Sequence, residues 1–373
     1  MLQVKRDELA DALAAANLVI QSRNSIPILA NVLLDAAGGC LTVSATDIDM
    51  TVSRHIDIAP KAKLKTTIPG KPAAKFLSTL DCEELGIEIQ GDGLALNNGT
   101  VKMKVPMLPA EDFPRLDAGE GKAAKITLPA PDLLKAFDAV SFAISTEETR
   151  YYLNGVYFTH HEGRVRMVAT DGHRMAVYDS VKTDKFPDCI VPRLAVAAIR
   201  KRLAKVTTDV EIAVCAGSPR KRKCRFSWGR ESWLTKTIDG TFPDYQRICP
   251  SDFKAAVAFQ TKDALKALTM IGKASEAREA SVSLEYKDGT LTLAHSRPES
   301  GTITADIPAS EGHGTDGVAR DWAPCGFNGG YLIDALKAID SPWAMLHQID
   351  PASPVKIAGD NPDVFVVQMP MRV

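Results

Sequence analysis

Apolar and polar positions alternate in short runs along this chain, and one such run occurs three times. Leu41, Val43 and Ala45 alternate with polar or small residues up to Thr46-Asp47, and Val165, Met167 and Ala169 do so up to Thr170-Asp171. Leu291 and Leu293 lead a fainter copy that ends at His295-Ser296. Period-two alternation after a Gly-containing turn predicts half-buried strands over 40–44, 164–168 and 290–294. The helical pattern keeps the same beat. Asp7-x-Leu9, Asp132-x-Leu134 and Asp263-x-Leu265 each open a run of Ala, Leu and Lys, which predicts helices over 7–19, 131–141 and 262–274. A second helix per copy is predicted over 72–80, 192–205 and 330–339; two of these begin with Pro, which suits a first helical turn. The period of about 125 residues exceeds the roughly 20–50 of a solenoid unit, so each copy is a domain. The expected architecture is α+β: three similar domains over 1–125, 126–250 and 251–373, each with two helices against antiparallel sheets.

Composition narrows the class. The chain has 373 residues and 45% hydrophobic content, enough for each unit to hold its own core. Seven cysteines, odd in number and never spaced Cys-x-x-Cys, argue for reduced thiols and against a disulfide or zinc framework. Lys5, Arg6, Asp7 and Glu8 exclude a secretory hydrophobic region at the N-terminus, and no apolar run approaches the roughly 20 residues that span a bilayer. A soluble, cytoplasmic protein is expected. The net charge of −1 hides a division: 14 basic and 16 acidic groups over 1–125 (−2), 20 and 14 over 126–250 (+6), 11 and 16 over 251–373 (−5). A basic middle and an acidic end suit local positive patches, or contact between unlike ends.

Basic side chains recur on the predicted helices: Lys71 and Lys75, then Arg193, Arg200 and Lys201, then Lys262 and Lys266. Such stripes can touch phosphates without reading bases, although solvated helix faces look alike. The denser run Arg220-Lys221-Arg222-Lys223-x-Arg225 is expected in a hairpin. No phosphate loop, zinc helix or nucleophile turn is present in the sequence. Gly312-x-Gly314-x-x-Gly317 has a dinucleotide-like spacing, but the residues after Gly317 do not open a helix. Asp47 and Asp49 could bracket a metal, but are expected to cap or turn a strand end. His160-His161 is expected in a hairpin turn. Thr170-Asp171-Gly172-His173-Arg174 is the one string resembling an active site; the first copy keeps Ala-Thr-Asp without Gly-His-Arg, which predicts a structural turn elaborated in the second.

Four motifs, in order and correctly spaced, resemble the bacterial beta sliding clamp family along the whole chain. They are Ile26-Pro27-Ile28-Leu29; Arg150-Tyr151-Tyr152-Leu153-Asn154-Gly155 with Thr170-Asp171-Gly172-His173-Arg174; Asp239-Gly240-x-Phe242-Pro243-Asp244-Tyr245; and Met369-Pro370-Met371-Arg372-Val373. The resemblance implies a processivity factor of the replicative DNA polymerase, without enzymatic activity, cofactor or metal. Its form would be a head-to-tail homodimeric ring encircling double-stranded DNA. Implied partners are the replicative polymerase catalytic subunit, the clamp loader, and other polymerases and repair proteins bearing short peptide motifs, with no membrane involved.

Carried over position by position, the resemblance implies a peptide-binding pocket. It would lie between domains two and three near the C-terminus and comprise Leu153, Thr170, Gly172, His173, Arg174, Met175, Pro243, Arg247, Ile248, Asn328 and Tyr331, with Val367, Met369, Pro370, Met371 and Arg372. Flexible Met and Pro suit an apolar peptide, with Arg and His expected to fix its polar ends. Implied DNA contacts are Arg23, Lys71, Arg150, Tyr151, Tyr152 and Arg193. The implied dimer interface sets Ala74, Phe76, Leu80, Lys102 and Lys104 against Met270, Ile271 and Glu299. Gln368 departs from the apolar residue usual there, Pro354 stands where a small polar residue is common nearby, and 309–325 is longer than typical. Two rival readings are a static DNA-binding protein using the basic middle domain and a hydrolase built on Asp171 and His173.

Overall fold

The computed structural model describes residues 1–21, 25–117, 123–183, 185–215, 222–275, 280–298, 301–314 and 321–372. Among them are 24 strands and six helices: α1 Arg6–Ala16, α2 Gly70–Leu77, α3 Ala130–Val140, α4 Arg193–Leu203, α5 Thr261–Ala274 and α6 Gly329–Ala338. Each repeat runs strand, helix, four strands, helix, three strands. The predicted helices all form, ending within a few residues of their expected limits. Pro72 falls inside the first turn of α2, whereas Pro192 ends the strand Cys189–Pro192 and precedes α4.

The apolar stripes bury as their spacing requires. In α5 the buried side chains Ala264, Ala267, Leu268 and Ile271 recur at three-to-four spacing. In α1, Leu9, Ala12, Leu13 and Ala16 do the same, with Asp7 and Glu8 in the first turn where the helix dipole favours carboxylates. The predicted alternating runs are strands Cys40–Thr46, Arg164–Thr170 and Thr290–Arg297.

The chain forms two compact units, 1–133 with 194–237 and 134–193 with 238–373, so the central repeat is shared between them. The reason is strand pairing between repeats. In the first unit, Met50–Asp57 pairs antiparallel with Glu231–Lys236 to extend an eight-stranded sheet; Leu2–Lys5, Glu84–Gln90, Gly93–Asn97 and Lys102–Pro106 form a second. In the second unit, Arg174–Lys182 pairs with Val364–Gln368 inside a twelve-stranded sheet.

A charged cluster ties the first unit together. Arg202 of α4, 7% exposed, donates to Glu231 at 2.8–3.0 Å and to both oxygens of Asp11 on α1. Arg54 also reaches Asp11 and Glu231, each at 2.8 Å, and Trp233 Nε1 donates to Glu231. Burial opposes ionisation of Asp11, but the hydrogen bonds and charge of Arg202, joined by Arg54, hold its carboxyl below the ordinary range. Removing Arg202 would leave the buried Glu231 carboxylate to Arg54 and Trp233 Nε1, at a cost in stability.

His160 and His161 end the strand Gly155–His161, and the turn itself is Glu162-Gly163, both at positive φ. Cys215 pairs with Lys223, so the basic run flanks a hairpin; 216–221, including Arg220 and Lys221, lie outside the described residues. Within the long 309–325 stretch, Ala309–Gly312 pairs with Ala256–Phe259, while 315–320 lie outside the described residues. Gly317 of the dinucleotide-like string falls there too.

Candidate partner-binding site

The Thr170–Arg174 turn is built twice. Thr170 Oγ1 donates to Arg174 O at 2.7 Å and accepts from Gly172 N at 3.1 Å; Asp171 Oδ1 accepts from His173 N and Arg174 N at 2.9 and 3.0 Å. In the first repeat, Thr46 and Asp47 make the same four bonds to Ile48, Asp49 and Met50. Threonine and aspartate side chains thus replace ladder bonds at the hairpin tip. The third turn residue must be left-handed: Gly172 has φ 91° and Ile48 has φ 80°. A Cβ on Gly172 would also fall 2.5 Å from Arg150 Nη1.

This geometry settles Asp171. Its Oδ2 accepts from Arg174 Nε at 3.0 Å, so both oxygens are committed and neither orients His173 as a general base. Asp49 pairs with Lys236 at 2.9 Å, and no cluster able to hold a metal occurs among the described residues.

Beyond the turn the two copies diverge. Arg174, expected to fix a peptide's polar end, makes a set of contacts within the chain. It donates to Asp171, to Asp334 of α6 at 2.7 Å and to Phe142 O at 2.8 Å. It also lies over Tyr331, 4.1 Å from the ring centroid, and 5.0 Å from that of Phe142. These contacts tie the turn to α6 and to Phe142, because a buried guanidinium takes the acceptors its fork can reach. Asn328 caps α6 through Tyr331 N, and its carbonyl accepts from Gln368 Nε2 at 3.2 Å. Gln368 is 1% exposed, so this departure from the usual apolar residue is an interior hydrogen bond and does not make the outer surface more polar.

The C-terminal segment crosses the turn. Met369 N donates to His173 O at 2.9 Å and Met371 N to Gly326 O at 2.8 Å. Leu153, Met175 and Val367 form a buried floor with Val168, Val177, Ile190, Phe242 and Tyr245. Phe242 stacks on Tyr157 with ring centroids 4.6 Å apart. Ile248, Met369 and Met371 are exposed by 47%, 40% and 42%. Pro243, Arg247, His173 and Arg372 are exposed as well, and Arg247 pairs with neighbouring Asp244 at 2.7 Å. The exposed Met and Ile side chains over an aliphatic and aromatic floor give a deformable apolar surface. At the equivalent place in the first repeat, Lys236 N donates to Asp49 O at 2.8 Å and the two side chains form their ion pair. That rim is charged.

All the expected pocket residues therefore lie in one unit. Phe242 and Tyr245, which the sequence motif leaves without a role, belong to the floor. Asp334 and Phe142 were missed. Asp334, one helical turn beyond Tyr331, was the available signal.

Of the expected DNA contacts, Arg150, Tyr151, Tyr152 and Arg193 are close in the fold: Arg193 N donates to Asn154 O, which ends the Tyr151–Leu153 turn. Tyr151 is 53% exposed, but Arg150 is paired with both oxygens of Glu147, at 2.8 and 2.6 Å. Lys71 is exposed on α2, and Arg23 lies outside the described residues. Of the expected interface residues, Lys102 and Lys104 are exposed, Ala74 and Phe76 half-buried, and Met270 60% exposed. Ile271 and Leu80, at 1% and 7% exposure, are buried within this chain, Ile271 on the α5 face that carries Ala264 and Leu268. Glu299 lies outside the described residues.

A threefold α+β chain with an exposed apolar rim over a buried floor at its signature turn has the form of a binding scaffold. The chain matches the DNA polymerase III beta subunit N-terminal domain over residues 1–117, central domain over 127–244 and C-terminal domain over 246–372. It is 34% identical to the beta sliding clamp of Caulobacter vibrioides over all of both chains, and 27% identical to that of Escherichia coli over 99% of each. A solved sliding clamp from Bartonella birtlesii, bound to griselimycin, superposes with TM-score 0.91 at 31% identity over 100% of this chain and 99% of that one. The Caulobacter crescentus clamp, solved with polyethylene glycol at a putative beta-motif tethering region, gives 0.90 at 32% over the same shares. The chain belongs to the beta sliding clamp family, whose members are non-enzymatic processivity factors of DNA replication. No described helix is long and apolar enough to cross a membrane.

Proposed function

We propose that two copies of this chain close head to tail around duplex DNA in the cytoplasm and tether the replicative polymerase and other peptide-bearing partners. The carrying observation is the pairing of Met369 N with His173 O over the Leu153, Met175 and Val367 floor, which leaves an apolar rim where the first repeat has an ion pair. Ile248, Met369 and Met371 take the apolar side chains of a short motif. His173 and Arg372 remain exposed to meet its polar atoms, while Arg174 braces the wall. The domains follow the repeats at 1–125, 126–250 and 251–373. Ala74, Phe76, Lys102 and Lys104 of one copy face Met270 and its neighbours on the next, with Leu80 and Ile271 supporting from within. Lys71, Arg193, Tyr151 and Tyr152 touch the DNA backbone, with Arg150 when Glu147 releases it.

Encirclement needs no base readout, and a heterologous interface that closes on rotation gives a finite ring. The experiment is retention on nicked circular DNA after loading by a bacterial clamp loader with ATP, followed by cutting the circle. Protein that stays on the circle and leaves on linearisation is held by topology. Equal retention on cut DNA means static binding and overturns the ring reading.

A further inference from the structure

A cleft of about 690 Å³ opens where the start of α5 meets the end of α6. It is lined by Thr261, Lys262, Leu265, Lys337, Asp340 and Trp343, among others, and nothing in the function above uses it. Its volume is that of a small-ligand site. Thr261 is the first residue of α5 and only 6% exposed, yet its hydroxyl has no hydrogen-bond partner among the described residues. A buried hydroxyl is rarely left unpaired. The N-cap residue Gln260 contributes no side-chain cap; Thr261 N donates to Pro342 O at 2.9 Å, and the next first-turn N–H groups of the 14-residue helix follow beside that hydroxyl. Lys262 and Lys337 are exposed and enter no ion pair among the described residues. Trp343 is 48% exposed, whereas Trp228, Trp233 and Trp322 are at 7%, 0% and 3%.

We propose that this cleft binds a nucleoside 5′-phosphate group, either as a free nucleotide or as the 5′ end of a single strand. The phosphate sits at the start of α5, taking the Thr261 hydroxyl and the charges of Lys262 and Lys337. The base stacks on Trp343, with Leu265 completing an apolar wall. Asp340 lies in the left-handed conformation just past α6 (φ 42°) and offers an acceptor to a sugar hydroxyl or an exocyclic amine. Asp340 in the lining and Asp263 in the first turn of α5 match the two lysines in number, so the cleft favours a ligand that carries donors as well as a phosphate.

The test is titration of the full chain with dAMP, a short 5′-phosphorylated oligonucleotide, the same strand lacking its phosphate, and inorganic phosphate, read by tryptophan fluorescence. Quenching by dAMP is expected, lost in Trp343→Leu and shifted about tenfold weaker in Thr261→Val. Lys262→Gln with Lys337→Gln, both exposed and so safe for folding, should weaken it at least as much. Quenching by dAMP and the phosphorylated strand alike assigns the site to the nucleotide unit; quenching by the strand alone assigns it to a DNA end. The proposal is overturned by no quenching at millimolar ligand, by equal affinity for inorganic phosphate, by indifference to the 5′-phosphate, or by an unchanged affinity in the double lysine variant.

Discussion

Replacing Arg174 with Ala removes a brace, and the size of the loss is set by the groups it touches. Three charge-assisted hydrogen bonds disappear, to Asp171 at 3.0 Å, Asp334 at 2.7 Å and Phe142 O at 2.8 Å, together with the stack on Tyr331. Bonds to charged groups contribute about 1.5–3 kcal/mol each, and breaking a buried pair costs about 3–5 kcal/mol. The arginine side chain is 12% exposed, but Asp171 and Asp334 keep 17% and 27%, so water takes over part of their solvation. The expected loss is therefore about 3 kcal/mol. With a urea dependence of about 2 kcal/mol per molar, the midpoint should fall by roughly 1.5 M. Arg174→Lys keeps one arm of the fork and should lose about half as much. A double-mutant cycle with Asp334→Ala should show a coupling of at least about 1 kcal/mol. Affinity for a partner peptide should fall about tenfold, because Tyr331 and the His173 turn lose their common anchor. A midpoint shift under roughly 0.5 M, or a coupling near zero, would refute the bracing role.

The same geometry sets further outcomes. Ile48→Gly should raise stability by roughly 0.5–1 kcal/mol by relieving a β-branched residue at φ 80°, whereas Gly172→Ala should lower it by about 1–2 kcal/mol and loosen Arg150 from Glu147; thermal melts of the two variants should shift in opposite directions. Burial, reinforced by the Lys356 charge, pushes His347 down to about 4. Its folded value lies below the unfolded value of about 6.5, so the unfolded chain takes up the proton first and stability is lost as pH falls from about 6.5 towards 4. His347→Phe should remove about 2 kcal/mol of that slope in urea titrations across this window, the figure being reduced for partial exposure. Asp49→His with Lys236→Met should turn the first repeat's charged rim into an apolar one, and calorimetry should detect added binding of a hydrophobic partner peptide there; unchanged stoichiometry would mean the ion pair is not what closes it.

The repeat, and through it the fold, was legible in local patterns of the chain. Alternation at Leu41, Val165 and Leu291 and the Ala/Leu runs after Asp7, Asp132 and Asp263 are local signals, read from one segment at a time. The turn at Asp171 was legible because its hydrogen bonds span only three residues. Side chains whose partners lie far along the chain were not. Arg174 meets Asp334 across 160 residues, and Arg202 meets Asp11 across 191, so no spacing rule ties them. The burial of Ile271, by contrast, is legible in the α5 stripe counted from Ala264. The division of the central repeat between two compact units was likewise out of reach, since strand partners such as Thr235 with Met50 and Gln368 with Arg174 are chosen only when edges meet in three dimensions. Propensity selects an element locally; the free energy of burying one edge or charge against another is set by the whole fold.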